Sequence, residues 1–158
     1  MTTVTGTVLG FDFGTTRIGV ATGQSITGTA APLQPLSARD GIPDWNLIDQ
    51  LVREWEPAAL VIGIPLNMDG TISDMARRAR KFANRLHERC KVPCYLMDER
   101  LTTTEAKQIS LSRGGSSNFK QNSVDGIAAQ LILEDWFQTD QLIPSATRLE
   151  DLYGIGRN

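Results

Sequence analysis

The chain has 158 residues, 41% hydrophobic and 22% charged, with a net charge of −2. That is the length of one domain able to bury a core, and the composition excludes a disordered chain. No apolar run approaches the roughly 20 residues of a membrane span, and Met1-Thr2-Thr3-Val4-Thr5 lacks a leader's basic and apolar regions. The expectation is a soluble, cytoplasmic protein, and the overall charge argues against a generic basic nucleic-acid binder.

In chain order, Thr7 to Phe13 reads as a buried strand and Arg17 to Thr22 as a second. The short turn Gly14-Thr15-Thr16 makes them an antiparallel hairpin. Ile26 to Leu36 holds a third strand, ended by turn residues around Asp40-Gly41-Ile42-Pro43. Asp44 caps a helix in which Trp45, Ile48, Leu51, Val52 and Trp55 recur at helical spacing, and Pro57 stops it. Ala59 to Ile64 is a continuous apolar strand buried on both faces. A helix from about Ser73 to Cys90 turns Met75, Ala79, Phe82, Ala83 and Leu86 inward and its arginines outward. Val92 to Met97 is another strand. Thr102 or Thr103 opens a helix running to Arg113, Ser116 to Asn122 is polar, and Ser123 caps a last helix, Val124 to Phe137. Its face is Ile127, Ala128, Leu131, Ile132 and Trp136. A short turn is expected at Leu149 to Tyr153. The fold class is α/β: an antiparallel three-strand meander plus two parallel strands, covered by helices on both faces.

The small net charge conceals a partition. Residues 71–120 carry eleven Lys/Arg and five acids, a balance of +6, against −8 for the rest of the chain. A mildly acidic protein thus presents one basic face, although a solvated amphipathic helix produces the same count.

Three acidic positions point to chemistry. Asp12 is the one charge in the first strand's apolar run, near its end, and a carboxylate inside a core strand is costly unless paired or metal-bound. Asp98-Glu99 closes the last strand, and carboxyl ends of parallel strands are where α/β sheets place their sites. Adjacent strand residues point to opposite faces, so at most one of the two joins Asp12. Asp125 lies in the first turn of the last helix, where an acid is also ordinary for the helix dipole. Carboxylates converging on one or two Mg²⁺ ions would hydrolyse a phosphodiester without a histidine base, and the one histidine, His87, sits on the basic helix. His87, Cys90 and Cys94 offer three zinc ligands and no fourth. There is no P-loop and no dinucleotide fingerprint.

The blocks GFDFGTTRIGVA (10–21), VIGIPLNMDGT (61–71), ARKFANRL (79–86), MDERLTTTEA (97–106) and VDGIAAQLILEDW (124–136) resemble the YqgF/RuvX family, over roughly residues 5–138. The resemblance implies an RNase H-like domain over 1–138 with a five-stranded mixed sheet, leaving 139–158 as a tail. It also implies a metal-dependent nuclease for the 5′ end of pre-16S rRNA, or a Holliday-junction resolvase-like enzyme. On this pattern Asp12, Glu99 and Asp125 match the catalytic and metal-holding positions, with Mg²⁺ or Mn²⁺ as cofactor. The wider resolvase pattern has a glutamate where this chain has Pro65-Leu66-Asn67, so the middle ligand falls to the Asp98-Glu99-Arg100 block, at Glu99 before Asp98. Arg77, Arg78, Lys81, Arg85, Arg100, Lys107 and Lys120 are the expected contacts to a nucleic-acid backbone, which position without reading sequence. The partner is structured RNA ahead of branched DNA, with ribosome precursors in view and the protein a monomer or weak homodimer. Two other classes compete. Asp12-Phe13-Gly14-Thr15-Thr16 is similar to the phosphate loop of the actin/sugar-kinase superfamily, which needs two such domains. The third class is a resolvase-like domain that binds ribosome precursors without cleaving them.

Overall fold

The computed structural model describes residues 1–99 and 124–155, with the side chains of 124, 125 and 153–155 left out. Among these, six strands form one mixed sheet: β1 (Thr7–Asp12), β2 (Arg17–Gln24), β3 (Thr29–Arg39), β4 (Ile42–Pro43), β5 (Ala59–Ile64) and β6 (Cys94–Asp98). The spatial order is β4-β3-β2-β1-β5-β6. β1 to β4 pair antiparallel in sequence order, while β5 runs parallel to β1 and β6 parallel to β5. Helices α1 (Trp45–Trp55) and α2 (Asp74–Cys90) contribute to the core on one face, and α3 (Val124–Gln138) covers the other. A short α4 (Leu149–Ile155) contacts α2. The helix expected from Thr102 or Thr103 to Arg113, the polar stretch after it and the Ser123 cap lie outside the described residues.

The sheet has six strands rather than five because Asp40-Gly41 makes a hairpin instead of ending one. Both residues have positive φ, +51° and +81°, the combination a two-residue turn matching strand twist requires. Arg39 pairs with Ile42 across it. β4 is only two residues long, because Asp44 immediately caps α1 by accepting a hydrogen bond from Asn46 N at 3.0 Å. The β1–β2 turn is equally tight: a Cβ on Gly14 would stand 2.3 Å from the Arg17 carbonyl oxygen.

α1 ends at Glu56, whose left-handed φ of +45° lets its N–H reach the Val52 carbonyl, and Pro57 follows. Ser73 caps α2 by accepting from Ala76 N, and Lys91 closes it in the left-handed region. The buried stripe of α2 is Ala76, Ala79, Phe82, Ala83 and Leu86. Ala76 takes the first-turn place expected for Met75, which is half-buried.

α3 is buried more widely than one face. Ala129, Leu133 and Phe137 join Leu131, Ile132 and Trp136 in the interior, while Ile127 and Ala128 are half-buried. Glycines on three strands give the reason. A Cβ on Gly10, Gly23 or Gly63 would stand 2.5 Å from Leu133, 2.8 Å from Phe137 or 2.5 Å from Ile132. The missing side chains let the helix sink onto the sheet and bury both flanks.

The two thiols differ in access. Cys94 is buried and Cys90 half-buried, and burial pushes the Cys94 thiol up to about 12 and raises that of Cys90 as well. A thiol reagent at pH 8 is therefore expected to modify Cys90 first in the folded protein and both equally after unfolding. Equal native labelling rates would contradict the packing.

Candidate acidic site at the carboxyl rim of the sheet

The pleat decides which acids meet. In β1, Leu9 and Phe11 belong to the core beneath α1 and α2, whereas Val8 packs with α3 and Gly10 faces Leu133. Alternation then puts Asp12, the last residue of β1, on the α3 face. Its cross-strand partner is Gly19, which has no side chain to crowd it.

In β6, Leu96 faces α1 and α2 and Met97 faces α3. Asp98 is 2% exposed, and it pairs with Ile64, a residue of the α1/α2 core. Alternation puts it opposite Asp12. Glu99, one residue past the strand, turns onto the α3 face and lies over Gly63: a Cβ there would stand 2.8 Å from Glu99 Oε1 and 3.0 Å from its Cγ. Gly63 lies one residue beyond the Phe11–Ile62 pair, as Asp12 does. The Glu99 carboxylate thus rests on the strand beside Asp12, at a spacing of about 4.8 Å. Glu99, and not Asp98, shares the face of Asp12.

α3 runs against β1. Phe137 covers Gly23, level with Val8, and Leu133 covers Gly10, two residues further along. Residue 125 lies seven positions before Ile132, about 10 Å further along the helix, so its backbone stands toward the carboxyl rim where Asp12 and Glu99 are. The Asp125 side chain lies outside the described residues, as do Arg100, Lys107 and Lys120. Among the described residues no three carboxylate, imidazole or thiol groups gather closely enough to hold a metal ion. The zinc alternative finds His87 Nδ1 3.0 Å from the Val92 carbonyl, with Cys94 in the core.

The basic residues of α2 divide by what they touch. Arg77 reaches Glu150 at 3.9 Å with both side chains largely exposed, a contact worth little. Arg78 Nη2 donates to the Asp40 carbonyl and carboxylate, each at 2.8 Å. Arg80 donates to the Thr147 and Ala146 carbonyls at 2.7 Å. Lys81 and Arg85 line a pocket beside Phe13, the residue after Asp12. The site role of Gly63, which makes room for Glu99, and the grouping of the aromatic residues around that pocket escaped the sequence reading. A glycine inside the otherwise aliphatic run Ala59–Ile64 was the available signal for the first.

Comparison with known proteins places the chain in a family. The family model described as "RuvX: Holliday junction resolvase" matches residues 6–139. A Chromohalobacter salexigens protein named "Putative pre-16S rRNA nuclease" is 57% identical over 136 residues, covering 86% of this chain and 92% of that one. One of the same name from Pasteurella multocida is 56% identical, covering 86% and 97%. Among solved structures, T. thermophilus RuvC in complex with a Holliday junction substrate has a similar fold, with a TM-score of 0.57 and 13% identity, covering 87% of this chain and 98% of that one. A family-model match over residues 6–139 and relatives 56–57% identical over most of its length establish that this chain belongs to the RuvX Holliday junction resolvase family.

Proposed function

We propose that this protein is a nuclease that cleaves the 5′ leader of pre-16S rRNA with Mg²⁺ or Mn²⁺ as cofactor. The observation that carries the reading is the convergence of Asp12 and Glu99 on one sheet face, across the bare backbone of Gly63. Two carboxylates on one face of a strand end offer several oxygens to a shared divalent cation. Carboxylate oxygens over a floor that a Cβ would fill suit a hard divalent ion, with Asp12, Glu99 and Asp125 as its holders. When bound there, such an ion would supply Lewis-acid polarisation of the phosphoryl group and a lowered pKa for a bound water. The chain's own part is to hold three acids on rigid elements and to bring the backbone phosphates in on the basic face of α2. The relatives' name supports rRNA as the substrate. Among the described residues no helix is long and apolar enough to cross a membrane, in keeping with work on ribosome precursors in the cytoplasm.

The test incubates purified protein with a 5′-extended pre-16S transcript and, separately, with a four-way DNA junction, in Mg²⁺ and in EDTA. Mg²⁺-dependent cleavage of the transcript at a defined site is expected. Cleavage of the junction alone would move the reading to branched DNA. No cleavage of either would leave a precursor-binding domain.

The glycine floor gives a second check. Gly63→Ala would force Glu99 and the Ile132 methyl aside. Flexible neighbours let the fold survive at about 1–3 kcal/mol. The displaced carboxylate is expected to cost about 10–100-fold in Mn²⁺ affinity by calorimetry, the usual effect of disturbing a ligand's support. Unchanged affinity would remove Glu99 from the site.

A further inference from the structure

On the other side of the rim from Asp12 lies a pocket of ≈ 210 Å³. Phe82 forms its floor, 3% exposed, with Phe13 at 5.4 Å and Trp45 stacked at 5.9 Å between ring centroids. Lys81 and Arg85 stand on its wall, one turn apart on α2 and both exposed. Neither has an ion-pair partner among the described residues. The pocket is built rather than incidental. Arg78, gripped by Asp40, ties α2 to the β3–β4 turn. On the far side Arg89 pairs with Asp49 through two hydrogen bonds of 3.0 and 2.9 Å and lies 5.6 Å from the Trp45 ring centre, holding that ring in place.

We propose that this pocket takes one nucleotide of a single-stranded segment of the substrate, beside the nucleotide whose phosphate reaches Asp12. The base lies against Phe13 and Trp45, and its phosphate meets Lys81 and Arg85. The inference rests on the nuclease reading and adds to it a binding site for unpaired nucleic acid. Aromatic faces beside unpaired cations are the combination that holds single strands without reading sequence. Phe13 follows Asp12 directly, about 3.8 Å away between Cα atoms, so a strand crossing the rim serves both sites. Bases paired inside a duplex are stacked on both faces, so the pocket selects a cleavage site next to unpaired nucleotides.

The test measures binding of a short single-stranded RNA in EDTA, where cleavage does not interfere, by Trp fluorescence and across a salt series. Wild type is expected to show quenching that disappears in Trp45→Phe. The double variant Lys81→Ala/Arg85→Ala is expected to bind roughly tenfold more weakly. Its log–log salt slope should fall by about 0.7, the contribution of the one phosphate the two side chains share on a single strand. Both residues are exposed, and removing like charges at i,i+4 does not weaken the helix, so misfolding cannot mimic the loss. Trp45→Leu is expected to weaken binding about tenfold with the slope unchanged. Wild-type affinity and slope in the double variant, or quenching that survives in Trp45→Phe, would overturn the pocket. The nuclease reading fails separately, through an Asp12→Asn variant that still cleaves.

Discussion

Asp12→Asn is expected to lower cleavage of the precursor transcript about a thousandfold, a loss of about 4 kcal/mol in transition-state stabilisation. The substitution keeps the shape of the side chain and removes its charge, at a half-buried position on the sheet's rim. Thermal stability should therefore change little while activity collapses. Glu99→Gln is expected to do the same, because it occupies the same face over Gly63. The double variant should be little worse than either alone, since residues acting as one unit are far from additive. Asp98→Asn is the informative contrast. Its side chain is buried on the opposite face, so its cost should fall on stability and leave the cleavage rate of the folded protein near wild type. An Asp12→Asn protein that cleaves as fast as wild type, prepared free of contaminating nucleases, would remove the acidic rim as the site.

The sequence pattern located Asp12 and the Asp98-Glu99 pair but left open which of the pair joins the first. The choice depends on the phase of the pleat, and phase is set by partners far along the chain: Leu133 above Gly10 and Ile132 above Gly63. Local signals sufficed where the cause was local. The cap at Asp44, the start of α2 near Ser73 and the fully apolar β5 were legible because each depends on residues within a few positions. β4 was missed although Asp40-Gly41 is a strong hairpin dipeptide, because two residues offer no alternating pattern to read. The basic run on α2 looked uniform, yet Arg78 and Arg80 are committed to backbone carbonyls of distant segments while Lys81 and Arg85 remain available. Charge counting sees a face; only tertiary contacts divide it. The pocket beside them joins Phe13 to Trp45 across the whole meander, a contact no window along the chain contains.

Deleting residues 139–158 is expected to lower Tm by roughly 8–16 °C, although the family match ends at residue 139. These residues complete the core. Ile143, Leu149 and Leu152 are 8%, 3% and 1% exposed and belong to the cluster beneath α1 and α2. Burying three such side chains stabilises by about 5–9 kcal/mol, partly offset by the entropy of ordering the segment. A net of about 4 kcal/mol gives the stated shift for a chain of this size. The segment also closes the sheet. Leu96 N donates to the Ile143 carbonyl at 2.7 Å and Ser145 N to the Cys94 carbonyl at 2.9 Å, so it lies along the outer side of β6 through one antiparallel bridge, Tyr95 to Pro144. Without it β6 is a bare edge among the described residues, and bare edges pair with other chains. The truncated protein should therefore aggregate as well as melt early. Arg80→Ala, which removes the clamp on Thr147 and Ala146 while leaving the segment attached, should cost about 1–3 kcal/mol. A truncated protein that melts within two degrees of full length would mean that residues 1–138 fold alone and the remainder only rests on them. A large loss would instead make the segment part of the domain, holding in place the strand that ends in Asp98 and delivers Glu99 to the rim.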